Sequence, residues 1–142
     1  MKTKKSIKKV TGVGGIFFKC KDPEKMKQWY DQHLGIVRTD EHGSVFESKS
    51  ADKPHDTNYL VWSPFTKTSK YFDGDFMINY RVENIEKLVR EFKKNGVKVI
   101  DKIEKYEYGK FVHIMDHEGN KIELWEPVDK VFTKIYKGKT TK

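Results

Sequence analysis

The sequence predicts an α+β fold assembled from two copies of a β-α-β-β-β module, and three observations predict it. Two stretches place apolar residues at helical spacing. Eight short runs have the composition of strands and are bounded by turn residues. The helix, its end and the last strand of the first half also recur in the second half at offsets of 61–63 residues.

The modules are expected over residues 11–66 and 75–127, with basic tails at 1–10 and 128–142 and the two modules forming one domain. The first predicted strand, 13–20, opens on "GVGG". That motif is not a phosphate loop: the glycines precede the strand instead of following it, and Phe17 stands where a dinucleotide fingerprint needs its third glycine. The first helix starts at the cap Asp22 with Pro23 at its first position and Glu24 in its first turn. It presents Met26, Trp29, Tyr30 and Leu34 on one side and ends at Gly35. Strands are predicted at 36–39, 44–48 and 58–63, completing the module.

The second module repeats this order. A strand at 76–82 leads to a helix that opens at Asn84, aligns Ile85, Leu88, Val89 and Phe92, and stops at Asn95–Gly96. Strands follow at 97–103, 110–116 and 121–126. "DHEGN" at 116–120 reads as a hairpin turn, with Gly119 and Asn120 at the positions that favour positive φ. The pairs Met26/Leu88, Tyr30/Phe92, Gly35/Gly96, Trp62/Trp125 and Pro64/Pro127 carry the duplication.

Composition excludes several function classes. No apolar stretch approaches the ~20 residues that span a bilayer, and no secretory h-region follows the basic N-terminus. A lone cysteine, Cys20, cannot form an internal disulfide and suits a cytoplasmic protein. The net charge of +8 resides in the tails: each holds five lysines, against Asp129 as their single acid. The 19 basic and 20 acidic residues between them nearly cancel, and no nucleic-acid motif accompanies the lysines, so neither nucleic acid nor membrane is an expected partner.

With "KDPEKMKQWYDQHLG" early, "MDHEGNKIELWEP" late and the duplication between them, residues 10–127 resemble the vicinal-oxygen-chelate superfamily. That group comprises glyoxalases, extradiol dioxygenases and the fosfomycin- and bleomycin-resistance proteins. The resemblance implies a half-open, curled sheet with helices on its outer face, and a concave cup that holds a ligand and often a divalent metal. It places the four metal ligands at Gly15, Leu60, Met77 and Glu123. Glycine and leucine offer no ligand atom and a thioether suits hard cations poorly, so no metal or other cofactor is expected. "GVGG" then reads as a vacated ligand position at the start of an edge or interface strand.

Strand alternation assigns Ile16, Phe18, Cys20, Tyr59 and Val61 to the helix-covered face, with Ile78, Tyr80, Val112, Ile114 and Leu124. The cup face receives Phe17, Trp62, Asn79, Arg81, Phe111 and Trp125 as ligand-binding candidates, together with Glu47 and the rim residue Tyr108. Glu123 is either a general base or a carboxylate paired with Lys19 or Arg81, and the pairing is the reading adopted. His113 is its candidate acid/base partner. The two tryptophans either stack on a ligand or wall the cup, while His33, His42, His55 and His117 are read as surface residues and Cys20 as an inert thiol.

The expected function is metal-free binding of a small molecule in an aromatic cup. The alternative is a lyase, isomerase or dioxygenase-type enzyme using Glu123 and His113 or a relocated metal. A homodimer is expected to cover the open sheet edges.

Overall fold

A computed structural model describes residues 9–141. The chain runs β1 (Val10–Cys20), α1 (Pro23–Leu34), β2 (Ser44–Ser50), β3 (Lys53–Thr66) and β4 (Phe76–Val82). It continues through α2 (Ile85–Lys94), β5 (Glu104–Tyr106), β6 (Gly109–Met115), β7 (Lys121–Pro127) and α3 (Asp129–Tyr136). The seven strands form one mixed sheet in the order β2-β3-β1-β4-β7-β6-β5, open at both ends. The halves join where β1 and β4 pair antiparallel. On either side of that seam a parallel pair, β1 with β3 and β4 with β7, repeats the same construction.

Helix α1 starts where its local chemistry directs. Asp22 Oδ1 accepts the Lys25 amide at 3.2 Å, Pro23 fits the first turn, and Gly35 closes α1 in the left-handed region (φ 67°). Asn84, by contrast, makes no side-chain cap. Glu126 reaches across from β7 instead, and its Oε1 accepts the Ile85 amide at 2.7 Å. Beneath α2, Ile85, Leu88 and Val89 pack on Val112, Ile114 and Leu124 to form the core of the convex side. No helix among the described residues is long and apolar enough to cross a membrane.

Several sequence expectations are corrected. Residues 36–39 are not a strand, because their backbone groups are spent elsewhere: the Ile36 amide goes to Tyr30 O at the helix end, and the Val37 amide to Thr141 Oγ1. Residues 97–103 make only a Val99–Ile114 bridge, and β5 forms later, at Glu104. In the 116–120 turn Gly119 alone takes positive φ. Of the two places expected for β1, edge or interface, it takes the interface, pairing with β4 at the seam between the halves.

The phase of β3 is also opposite to expectation. Its parallel register pairs Val61 with Gly15 and Trp62 with Ile16, and paired residues share a face. Trp62 therefore lies on the convex side with Phe18 and Tyr30, at ring separations of 5.4 and 4.8 Å. Tyr59 and Val61 face the cup. Sequence alternation could not choose between the phases, because both sets of β3 residues include large apolar side chains.

The largest correction is the C-terminal tail. Residues 129–136 form α3, which lies across the concave face with Phe132 buried against Trp125 and Tyr59, at 5.1 and 5.5 Å between ring centroids. Beyond it, the Thr141 amide bonds Val45 O at 2.9 Å, so this segment covers the free edge of β2. The expected N-terminal tail lies outside the described residues except for its last two positions.

Candidate functional site

The side chains at the centre of the concave face are set by sheet register. His113 on β6 is paired with Glu123 on β7, Glu123 with Asn79 on β4, and Asn79 with Gly15 on β1. Glu123 is 2% exposed and His113 4%. Three donors converge on the Glu123 carboxylate: Asn79 Nδ2 at 2.7 Å on Oε1, and on Oε2 both His113 Nε2 at 2.9 Å and the Tyr71 hydroxyl. The far side of the imidazole is held as well, since Asp101 takes His113 Nδ1 at 2.6 Å and the His113 amide at 2.8 Å.

A continuous chain thus runs Asp101–His113–Glu123–Tyr71. Burial pulls the His113 pKa down, but the hydrogen bonds to Glu123 and Asp101 outweigh it and leave the pKa raised. Both ring nitrogens face carboxylate oxygens, and only the protonated ring donates from both. The Tyr71 hydroxyl is pushed well up, first by burial and then by the adjacent Glu123 charge. A carboxylate has about four acceptor positions. Three are taken here, leaving one for the space that Glu123 faces.

That space is a cavity of ≈160 Å³ lined by Phe17, Val61, Asn79, Phe111, Glu123 and Trp125, with Tyr108 at its side and Phe132 of α3 closing it. Phe111 stacks on Trp125 at 5.8 Å. The arrangement can hold a proton between two buried groups beside an apolar pocket, which is the geometry of a general acid/base pair.

Of the residues expected to form the site, the structure brings together Glu123, His113, Asn79, Phe17, Phe111, Trp125 and Tyr108. It separates three others. Trp62 is on the convex face, as described above. Glu47 is exposed on β2 and accepts the Thr140 hydroxyl. Arg81 is buried and committed: its guanidinium bonds Asp129, Asn58 Oδ1 at 3.0 Å and Tyr59 O at 3.2 Å. The pairing of Glu123 with Lys19 or Arg81 is therefore overturned. Lys19 reaches Asp73 O at 3.4 Å and lies over the Phe72 ring instead.

Sequence reasoning missed Tyr71, Asp101 and Phe132. Tyr71–Phe72 is an aromatic pair in an otherwise polar linker, and Asp101 directly follows the apolar run where strand pairing breaks off. Val131, Phe132, Ile135 and Tyr136 have helical spacing that the surrounding lysines obscure.

The glycines have a steric explanation. A Cβ on Gly14 would lie 2.4 Å from Asn79 Oδ1, 2.8 Å from Trp125 Cε3 and 2.9 Å from Arg81 Cγ. The volume a side chain would need is already filled by neighbouring strands. Met77, one expected metal position, is fully buried between Phe17 and Phe72, and Leu60 lies on the convex phase of β3. The register line through Glu123 instead contains His113, Asn79, Gly15 and Val61. This set does not fit a divalent metal: it supplies one carboxylate, one amide whose nitrogen is turned to that carboxylate, and one imidazole whose two nitrogens are both held by carboxylates, Glu123 and Asp101. Among the described residues no group of three or more His, Cys, Asp or Glu side chains is arranged to hold a metal ion.

An open seven-stranded sheet built from two related modules, βαββ and βαβββ, with a buried carboxylate at the centre of its cup, points to the class. Residues 13–124 match the Glyoxalase/Bleomycin resistance protein/Dioxygenase superfamily, and the chain belongs to it. Methylmalonyl-CoA epimerase from Mycobacterium tuberculosis is similar in structure, with a TM-score of 0.57 at 19% identity over 87% of this chain and 93% of that one. A variant of the Streptomyces coelicolor methylmalonyl-CoA epimerase, in complex with 2-nitronate-propionyl-CoA, gives 0.57 at 18% identity over 84% and 99%. The Mn(II)-bound glyoxalase from Novosphingobium aromaticivorans gives 0.57 at 16% identity, covering 94% of this chain and 42% of that chain. At these identities the likeness is one of fold. No curated protein matches the chain in sequence.

Proposed function

We propose that this protein binds a small molecule in its aromatic cup without the divalent metal common in its superfamily. One observation carries the reading. Glu123 sits at the floor of an apolar cavity, oriented by three side-chain donors, while the other positions in its register line are Asn79, Gly15, Val61 and His113, whose two ring nitrogens are bonded to Glu123 and Asp101. Protein hydrogen bonds do here what a metal does elsewhere: they fix the carboxylate. Elemental analysis of purified protein is expected to find zinc, nickel, iron and manganese all well below one per chain. One metal per chain, lost in Glu123→Gln, defeats the metal-free reading.

The Asp101–His113–Glu123–Tyr71 chain favours a second reading, an acid/base enzyme of the lyase or isomerase type. The epimerases of similar fold are consistent with it in kind. A thermal-shift screen of aromatic compounds, thiol conjugates and metals, followed by assay of every hit for chemical change, separates the two. Ligand-specific shifts without turnover support binding; turnover abolished by Glu123→Gln supports the enzyme.

The protein is further proposed to be a homodimer. The edge argument loses force, since the C-terminal segment covers β2. What supports pairing is the convex face between α1 and α2, where Val13, Ile16 and Phe76 remain 41%, 37% and 57% exposed.

A further inference from the structure

The cup cavity, at ≈160 Å³, is small for a binding site. Ligand pockets occupy about 300–1,000 Å³, whereas a dry cavity of about 150 Å³ admits a single benzene ring. A second space adjoins it. A groove of ≈540 Å³ runs between α3 and the 40–45 segment, and Val61, Tyr108 and Phe132 line both groove and cavity. The Phe132 ring is the partition that α3 inserts between them.

Charge selects what fits. The chain carries 29 Lys and Arg residues, yet none of those described lines either space. The lining holds Asp40, Glu41 and Glu123, with His42 in the groove and His113 bonded to Glu123 behind the cavity. The polar atoms at the cavity floor are acceptors. Asn79 is 2% exposed and directs its Nδ2 to Glu123, which leaves its Oδ1 buried with no partner. The opposite amide orientation would set oxygen against carboxylate, so the orphan is the acceptor. Asn79 Oδ1 packs into the place a Gly14 side chain would take, and both residues line the cavity. A buried acceptor without a donor calls for a donor from a ligand. Phe17, Phe111 and Tyr108 add aromatic rings to the lining, which favour a cation, while the Trp125 ring already has the Arg81 guanidinium at 5.4 Å.

Building on the small-molecule reading, we infer that the cavity takes the aromatic head of a cationic ligand: one ring bearing N–H donors to Asn79 Oδ1 and Glu123, its remainder in the acid-rimmed groove, with Phe132 displaced to admit it. The Phe132 ring is held by packing and by ties that flank it on α3, Asp129 to Arg81 and Thr133 to the Tyr59 hydroxyl at 2.6 Å. Its displacement leaves the helix anchored at both residues.

The probes are benzamidine, benzoate and toluene, titrated into the wild-type protein and read at the Trp125 indole N–H, which donates to Tyr108 O at 3.0 Å beside the cavity. Trp125→Phe assigns that resonance among the three tryptophans. Benzamidine is expected to shift it and benzoate to leave it unmoved. Phe132→Ala should tighten benzamidine, by roughly tenfold for a binding-competent fraction of about one in ten in the wild type. Phe132→Val serves where the alanine variant does not fold. Benzoate binding as tightly as benzamidine, or an affinity for benzamidine indifferent to Phe132, overturns the inference. Should toluene move Trp125 while benzamidine does not, the cationic head falls and the small-molecule reading stands. If none of the three moves Trp125 in either wild type or a Phe132 variant, both fall.

Discussion

His113 is buried between two carboxylates, and its raised pKa has a consequence for stability. A histidine whose folded-state pKa exceeds its ordinary value of 6.5 contributes fully below that value. The contribution is lost as pH rises through the raised folded-state pKa. Urea denaturation across about pH 5.5–9 should therefore show stability falling above about pH 6.5, with the slope largely absent in His113→Gln. A wild type and variant with parallel pH profiles would exclude this role. At the same scale, Gly14 and Gly12 make a matched pair. A Cβ at Gly12 meets nothing closer than 3.7 Å, whereas at Gly14 it strikes Asn79, Trp125 and Arg81. Gly14→Ala is expected to destabilise by about 1–3 kcal/mol, the range for overpacking, and Gly12→Ala to leave the urea midpoint nearly unchanged.

Among the elements, α3 departs furthest from what a lysine-rich terminus suggests. Its hold on the cup is partly electrostatic: Arg81, 5% exposed at its side chain, pairs with Asp129. The Arg81 guanidinium also lies 5.4 Å from the Trp125 ring. Removing Asp129 strands a buried cation, and Asp129→Ala should destabilise by about 3 kcal/mol, the lower end for a broken buried pair because Asp129 remains 29% exposed. Adding Arg81→Met should recover much of that loss, since two apolar groups replace two charges. Additive losses in the double variant would show that the pair contributes nothing as a pair.

For the whole molecule, the two modules share one sheet, and their helices cover its flanks while leaving the β1–β4 seam bare on the convex side. Val13 opposite Tyr80, Ile16 opposite Ile78 and Phe18 opposite Phe76 form that strip. If a second copy covers it, light scattering should report twice the 16.8 kDa chain mass, and Ile16→Lys should return the protein to a monomer while preserving its circular dichroism. A wild-type monomer at micromolar concentration removes the dimer proposal.

Local chemistry was enough for the parts of this fold that depend on neighbours in the chain. The Asp22–Pro23 start and Gly35 end of α1 and the apolar face of α2 are written in residues a few positions apart, because caps and helical periodicity act over one or two turns. Glu123 and His113 were legible as polar residues in strands that otherwise carry apolar ones, and so were Phe17, Phe111 and Trp125 on the same face. What depends on register was not. The phase of β3 placed Trp62 outside and Val61 within, and pairing with β4 selected Asn79 in place of Met77. Two of the three donors to Glu123, Asn79 and Tyr71, are 44 and 52 residues away, distances over which sequence carries no spacing rule. The same holds for α3, whose lysines leave its helical spacing hard to see while Phe132 fills the cup. Only the assembled sheet surface, with its aromatic floor waiting to be covered, decides that a basic terminus becomes a helix lying across it.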